Sequence, residues 1–481
     1  MKIFLAFLLI FLLSFKVVID TDYVWHLRAG EYIIKTKSIP KRDLFSFSAP
    51  DYPYVYHSWA SEVIIAASYK LAGNPGVSAM FAALAAFTIF VIYKTCFVIS
   101  KKEPSLALFV LFAPAAYAIG GGRTRSFGFL AFAILYLLFS KFSREKSPAI
   151  WLVPVVFFFW ANLHGSFILG IFTLLVMSAL AIAADKNFSR IKTLFAVNLL
   201  SVAATLINPY FIKIWQQTTT IAVNYYLNLQ FLNLDWQSLT AKEGGGAIFA
   251  AMSLILTIVL FLVKNKIDLA QKLMLLIFLA LSTLTARFAP ALFVFFLVPL
   301  NQLALQLQNK LKIGALEYNF IRSILGLVLA VLLLTSFLNV LEVKFAYTSP
   351  KNYAEFLKTK IPQKYSYMHW PYDAGIFVSQ NLQGKRVLNE ANWGSLLLFL
   401  DPKTKVFYYG AMDNFIIDNR PFILEYLDIV DAKNNWEAKL QKYKVDAIFL
   451  PNSLSLVKTL KKNSQWEIVY IDNLATVMVK K

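Results

Sequence analysis

The densest concentration of reactive side chains lies near the N-terminus, in Asp20-Thr21-Asp22-Tyr23-Val24-Trp25-His26-Leu27-Arg28. It continues through Gly30, Ile39-Pro40, Asp43, Phe45-Ser46-Phe47 and His57-Ser58-Trp59 to Glu62. Two carboxylates two residues apart can hold a divalent cation such as Mg or Mn, or one can act as a base beside the other. The plainer alternative is that Asp20 and Asp22 only end an apolar helix on its watery side. The company of Trp25, His26, Arg28, His57 and Glu62 favours chemistry. Residues 24–34 also have the amphipathic spacing of a helix lying in a membrane interface. Cys96 is the only cysteine, which excludes an intramolecular disulfide and a cysteine-based metal cage.

The elements that must position this cluster are apolar. The chain is 58% hydrophobic and 15% charged, with a mean hydropathy of +0.59. A soluble domain carries about 25% charged residues, so an ordinary soluble enzyme, a disordered chain and a fibrous repeat are excluded. Runs long enough to span a bilayer fall at 3–19, 76–99, 105–120, 127–140, 148–163, 166–184, 193–208, 247–263, 269–285, 288–306 and 323–341. The expected fold is mainly α: a polytopic membrane bundle of about eleven spans. Segment 3–19 lacks a small-x-small cleavage site before Asp20 and reads as a retained first span.

The formal charge of +20 serves as an orientation test. With the N-terminus in the cytoplasm, the inner segments carry a net +11 and the outer part of residues 1–341 only +4. This satisfies the positive-inside rule. It leaves no basic stripe with interleaved aromatics on a soluble face, so nucleic acid is not an expected partner. An odd number of spans puts three segments outside: 20–75, 209–246 and 342–481. The chain thus divides into a transmembrane domain, 1–341, and a C-terminal extracytoplasmic domain, 342–481. In the latter, apolar runs shorten to strand length at 386–389, 405–409, 445–450, 466–471 and 475–479. They alternate with helix-like stretches at 433–444 and 453–463, the second opened by Asn452 or Ser453, and this pattern suggests a small α/β domain.

An Asp-x-Asp at the outer end of the first span, followed by a long loop with a surface helix, resembles the GT-C glycosyltransferases. These are polytopic enzymes that use polyprenyl-phosphate-linked sugars. More narrowly, several stretches are similar to a large bacterial membrane family of this architecture. They are Asp22-x-x-Trp25-His26-Leu27-x-x-Gly30, Ile39-Pro40-x-x-Asp43-x-Phe45-Ser46-Phe47 and Trp59-x-x-Glu62. Further along come Asn162-Leu-His164-Gly-Ser166, Asn208-Pro209-Tyr210, Trp236-Gln237-Ser238, Arg287-Phe-x-Pro290 and Asn389-Glu-Ala-Asn392-Trp393-Gly394-Ser395. Relatives often carry an acidic residue and a proline around Trp-Gln-Ser; here Asp235 precedes it and Leu239 follows. The resemblance implies a hexosyl or pentosyl transferase that inverts the anomeric carbon. Its partners would be a polyprenyl-phosphate sugar, a glycan, lipid or protein acceptor, and membrane lipids.

On this reading Asp22 or Asp20 takes the acceptor's proton, with a divalent ion on the pair left open. Arg123, Arg125 and Arg287 are the only cations at short outer turns. Anchoring to lipid phosphate would explain them, and so would recognition of a carrier phosphate, to which arginine's fork is suited. His26, Arg28, His57, Glu62, His164, Asp235 and Trp236 complete the candidate substrate-binding set on the same side of the membrane. A lone histidine such as His164 is more often a packed interfacial residue, although polar groups at membrane depth usually face a cavity or partner. Two other classes are compatible with the architecture. A lipid-linked glycan transporter would need polar residues through the bilayer centre, where this chain is apolar. A non-catalytic glycan-binding scaffold would tolerate loss of Asp20 and Asp22.

Overall fold

The computed structural model describes residues 2–20, 22–104, 122–185, 187–224, 251, 253–255, 257–258, 261, 267–285, 288–310, 315–360, 369–433 and 435–481. The helices of the N-terminal half are α1 (Lys2–Ser14), α2 (Tyr23–Thr36), α3 (Trp59–Ser100), α4 (Arg125–Glu145), α5 (Val153–Leu163), α6 (Phe167–Ala184), α7 (Phe188–Thr205), α8 (Lys213–Asn224), α9 (Leu269–Leu284), α10 (Ala289–Lys310) and α11 (Ala315–Ala346). By length and composition, four described stretches can cross a membrane: Trp59–Ser100, Arg125–Glu145, Phe167–Ala184 and Gly326–Ala346. Shorter apolar helices cover Ile3–Ser14, Pro148–Leu163, Leu269–Leu284 and Ala291–Gln306. The expected span 105–120 lies outside the described residues, as does much of 247–263.

By packing, the chain forms two compact units: residues 1–16 with 78–340, and residues 17–77 with 341–481. In the first unit the helix starts follow local chemistry. Asp268 and Gln271 exchange side chain to backbone bonds in a capping box that opens α9. The Asn187 side chain caps α7. Aromatic rings fill the core, with Phe132 edge-on to Trp160 at 4.5 Å and Phe278 stacked on Phe295 at 4.5 Å. Asn339 reaches back from α11 to donate to the Leu13 carbonyl at the end of α1, 2.8 Å away.

The second unit joins the first long loop to the C-terminal segment, whereas the sequence reading groups residues 20–75 with the membrane half. Burial of aromatic rings accounts for the difference. Tyr52 stacks on Phe415 at 4.1 Å, Tyr54 lies 5.3 Å from the same ring, and Phe45 sits edge-on to Tyr409 at 5.4 Å. Within the unit, α3 is broken at Ala72 and Gly73, the latter at φ +61°, just before Pro75. The first stretch of α3, carrying Glu62, is thereby separated from the apolar run that follows.

The C-terminal segment contains α12 (Pro350–Lys360), α13 (Tyr372–Asn381), β1 (Val387–Asn389), α14 (Trp393–Leu400), β2 (Ile416–Ile417), β3 (Arg420–Pro421), α15 (Phe422–Val430), α16 (Trp436–Lys442), β4 (Ala447–Pro451), α17 (Ser455–Leu460), β5 (Trp466–Ile471) and β6 (Ala475–Lys480). Four of the five expected strands form one sheet in the order β1-β4-β6-β5. β1 runs parallel to β4, and the other pairs are antiparallel. The expected strand at 405–409 does not join this sheet. Val406 instead bridges in parallel to Ser46 of the first loop: the Phe47 N–H donates to the Val406 carbonyl at 3.0 Å, and the Val406 N–H to the Phe45 carbonyl at 2.9 Å. The Asn389 side chain takes the place of a neighbouring strand on the other side. Its Oδ1 accepts the N–H of Phe407 at 2.8 Å, and its Nδ2 donates to the Tyr408 carbonyl at 2.8 Å. A second difference concerns α17, which opens at Ser455 after Leu454 without a side-chain cap. Asn452 is used instead to tie β4 to the β5–β6 turn, donating to the Asp472 carbonyl at 2.7 Å.

Candidate active site

The helix α1 ends at Ser14, and the chain runs on without regular structure to Asp20. Asp20 then makes a local turn: its Oδ1 accepts the Asp22 N–H at 3.1 Å and its carbonyl accepts the Tyr23 N–H at 3.2 Å. Asp20 thus serves the entry to α2, whereas the plainer sequence reading has it end the apolar helix before it. Asp22 does not share this role. It occupies the N-cap position of α2 in helical conformation and makes no side-chain capping bond. Its carboxylate lies against Gly410 of the C-terminal segment, close enough that a Cβ there would stand 2.1 Å from Oδ1.

α2 presents a nearly continuous buried face, Tyr23 through Leu27 with Ala29, Gly30 and Ile33, and exposes Tyr32 and Ile34. The amphipathic helix expected at 24–34 therefore forms, and its apolar side packs inside its own unit. His26 and Gly30 are one turn apart and meet Glu62 and Ala66, also one turn apart on α3. His26 Nδ1 lies 3.0 Å from Glu62 Oε1, with both residues buried. A Cβ at Gly30 would stand 2.0 Å from the Glu62 carbonyl oxygen, so the helices touch backbone to backbone and only glycine fits. Burial holds the Glu62 carboxyl well above the usual carboxylate range. Glu62 Oε2 is buried without a hydrogen-bond partner.

Arg28 turns toward the C-terminal segment. Its Nε donates to the Leu398 carbonyl at 2.9 Å and its Nη2 to the Phe399 carbonyl at 3.1 Å, at the C-terminal end of α14; Nη1 pairs with Glu31 at 2.7 Å. His57 is half-buried, two residues before α3 begins. Asp43 completes the wall. Its Oδ2 accepts the N–H and hydroxyl of Ser46 at 2.8 and 2.5 Å, and its Oδ1 accepts the Tyr409 hydroxyl at 2.5 Å. The Tyr409 ring also packs against Trp25, with centroids 6.1 Å apart. Gly410 and Tyr409 carry no motif that separates them from ordinary core residues, so the sequence does not single them out. Asp43 belongs to the Ile39-Pro40-x-x-Asp43 motif, whose spacing gives it no role of its own.

The first unit holds Arg123, Arg125 and His164. Arg123 and Arg125 are half-buried at the start of α4. The Arg125 guanidinium is near enough to Lys16 for the two charges to repel, which makes Lys16 a cation that the sequence reading missed. His164 ends α5 in extended conformation, with its Nδ1 facing the Ser166 hydroxyl at 2.9 Å and accepting the Ser166 N–H at 3.1 Å. The Trp160 indole donates to the same hydroxyl at 2.9 Å. Asp235, Trp236 and Arg287 lie outside the described residues. Among the described residues no group of three or more His, Cys, Asp or Glu side chains is arranged to hold a metal ion.

No protein-family model matches the sequence. No curated protein matches it either. Solved structures do match. The oligosaccharyltransferase of Archaeoglobus fulgidus in its apo form superposes with a TM-score of 0.55 at 11% identity, covering 93% of this chain and 69% of that one. The same enzyme tethered to an acceptor peptide containing the NVT sequon gives a TM-score of 0.50 at 10% identity, covering 93% and 68%. The fold is of the GT-C type. ArnT from Cupriavidus metallidurans in its apo state aligns over 98% of this chain and 96% of its own at 11% identity, with a TM-score of 0.48. The resemblance read from the first-loop motifs therefore holds at the level of fold: a mainly helical GT-C-type chain with a small C-terminal sheet.

Proposed function

We propose that this GT-C-type protein is an integral-membrane glycosyltransferase. It moves a sugar from a polyprenyl-phosphate donor to an acceptor at the outer face of the cytoplasmic membrane, with the N-terminus inside and the C-terminal segment outside. The observation that carries the reading is the Asp22 carboxylate. It follows the first apolar helix, does not cap the helix it precedes, and is seated against the backbone of a distant glycine. A side chain that only ended a helix would have no need of such a seat.

In the reaction, the acceptor hydroxyl oxygen attacks the anomeric carbon as the bond from that carbon to the phosphate oxygen breaks. The bonding pair leaves with the phosphate, the hydroxyl proton passes to the Asp22 carboxylate, and the anomeric configuration inverts. Asp20 shapes the turn that presents Asp22. Arg123, Arg125 and Arg287 supply the positive charge for the leaving phosphate, since sequence topology puts them on the same side of the membrane. Were a divalent ion such as Mg or Mn to take part, Asp20 and Asp22 are the carboxylates that would hold it, and it would add positive charge for the leaving phosphate. His26, Glu62 and Arg28 hold the loop in shape. The acceptor is a glycan, a lipid or a protein.

The test is incubation of purified full-length protein with radiolabelled polyprenyl-phosphate sugars and membrane extract, with and without chelator. Wild-type protein should transfer label. Asp22→Asn should lose transfer while keeping the wild-type melting temperature, and activity retained in that variant would remove the assigned base.

A further inference from the structure

Three glycines at close contacts in the second unit, Gly30, Gly394 and Gly410, differ in what they face. A Cβ on Gly30 would meet the Glu62 carbonyl oxygen at 2.0 Å, and one on Gly394 would meet the Tyr408 carbonyl oxygen at 2.0 Å. Both obstacles are backbone, held by helices or by the Asn389 amide, and neither can yield without moving an element. Gly410 is different. The three nearest atoms to its Cβ position all belong to one side chain: Asp22 Oδ1 at 2.1 Å, Cγ at 2.9 Å and Oδ2 at 3.3 Å. The neighbouring residues are fixed. Tyr409 is buried, with its hydroxyl on Asp43 at 2.5 Å, and the Met412 N–H donates to the Tyr409 carbonyl at 2.9 Å. The Asp22 carboxylate therefore rests on a surface that cannot retreat and that exists only because residue 410 has no side chain.

We propose that Gly410 is a positioning residue for Asp22: the C-terminal segment sets the place of the reacting carboxylate by offering it bare backbone. This rests on the reading of Asp22 as the base. The inference gives the C-terminal segment a part in the chemistry, since the seat for a side chain at residue 22 is built by residues 409–412. A methyl group at position 410 is accommodated by swinging the carboxylate away, a cheap movement of a side-chain end. The unit keeps its fold and the base leaves its place. A misplacement of about 1 Å at a reacting group lowers the rate about 100-fold.

The experiment compares Gly410→Ala with Gly394→Ala in the full-length protein. Gly410→Ala should keep the wild-type melting temperature and donor KM while kcat falls about 100-fold. Gly394→Ala should lower the melting temperature. Wild-type kcat in Gly410→Ala overturns the inference while leaving the assignment of Asp22 intact; activity in Asp22→Asn overturns that assignment instead. Should Gly410→Ala melt early, the double variant Asp22→Ala/Gly410→Ala decides the matter. Recovery of the melting temperature to that of Asp22→Ala supports the contact, and no recovery overturns it. A readout independent of turnover is coupling of Asp22 to glycine ethyl ester by a water-soluble carbodiimide, followed by peptide mass spectrometry. In Gly410→Ala its rate should change several-fold relative to the exposed Asp51, and an unchanged ratio counts against the inference.

Discussion

Arg28 offers the sharpest separation between a side chain that builds the site and one that touches substrate. Helix α14 ends at Leu400, so the carbonyls of its last turn have no partner within the helix. Arg28 supplies donors to two of them, Leu398 and Phe399, from a side chain only 10% exposed. Replacing Arg28 with Ala strands both acceptors in a place where water is scarce. Each costs about 1–3 kcal/mol, and about 3 kcal/mol for the pair is a reasonable central value because Phe399 is only half-buried. The Glu31 pair adds little, since Glu31 is 39% exposed. The unit affected comprises residues 17–77 and 341–481. For a body of that size about 3 kcal/mol corresponds to a fall of about 6–12 °C in melting temperature. Lysine at this position keeps the charge but can serve one carbonyl well, so Arg28→Lys should fall between Ala and wild type. The assay is thermal melting of the full-length protein in detergent, run beside donor-dependent kinetics. A normal melting temperature in Arg28→Ala with a raised donor KM would refute the reasoning, because it would mean that Arg28 reads the substrate and not the end of α14.

Two further expectations concern Asn389 and Glu390 at the end of β1. Glu390 is buried, and desolvation pushes its carboxyl up to about 7 from 4.5, against the opposing pull of the Asn392 and Trp393 N–H groups at 2.7 and 3.1 Å. The folded state therefore holds its proton more tightly than the unfolded chain. The stability it contributes is complete below about 4.5 and is lost as pH rises through about 7. Glu390→Gln should flatten the melting temperature over that window, and parallel pH curves for the two proteins would contradict it. Asn389 is fully buried and holds the 407–409 run on both its amide atoms. Asn389→Ala should cost about 3–5 kcal/mol through stranded backbone groups, visible as a lower melting temperature. It should also reduce transfer, because Tyr409 and Gly410 follow directly.

The membrane half was legible because a bilayer leaves the chain little choice. Apolar runs of spanning length, charges collected in short loops and turn residues between them are one-dimensional signals, and helices stand where most of them lie among the described residues. Four of five strands in the C-terminal segment were legible for a similar reason, since β-branched runs bounded by polar residues have few alternatives. Residues 405–409 show the limit. They read as a strand, but their partners are an asparagine side chain and a loop some 360 residues earlier. Nothing in a local pattern can name such partners.

The sequence by itself determined that the polar cluster follows an apolar helix and that Asp20 and Asp22 head an amphipathic helix. These depend on composition and on spacing along the chain. Only the tertiary structure decided where each of these side chains sits. Asp20 closes its own turn, while Asp22 is set against Gly410, and Arg28 is spent on the end of α14. The two aspartates are alike in sequence, and what separates them is a contact across 388 positions, Asp22 to Gly410. Close packing creates that contact, and close packing is a property of the folded unit alone.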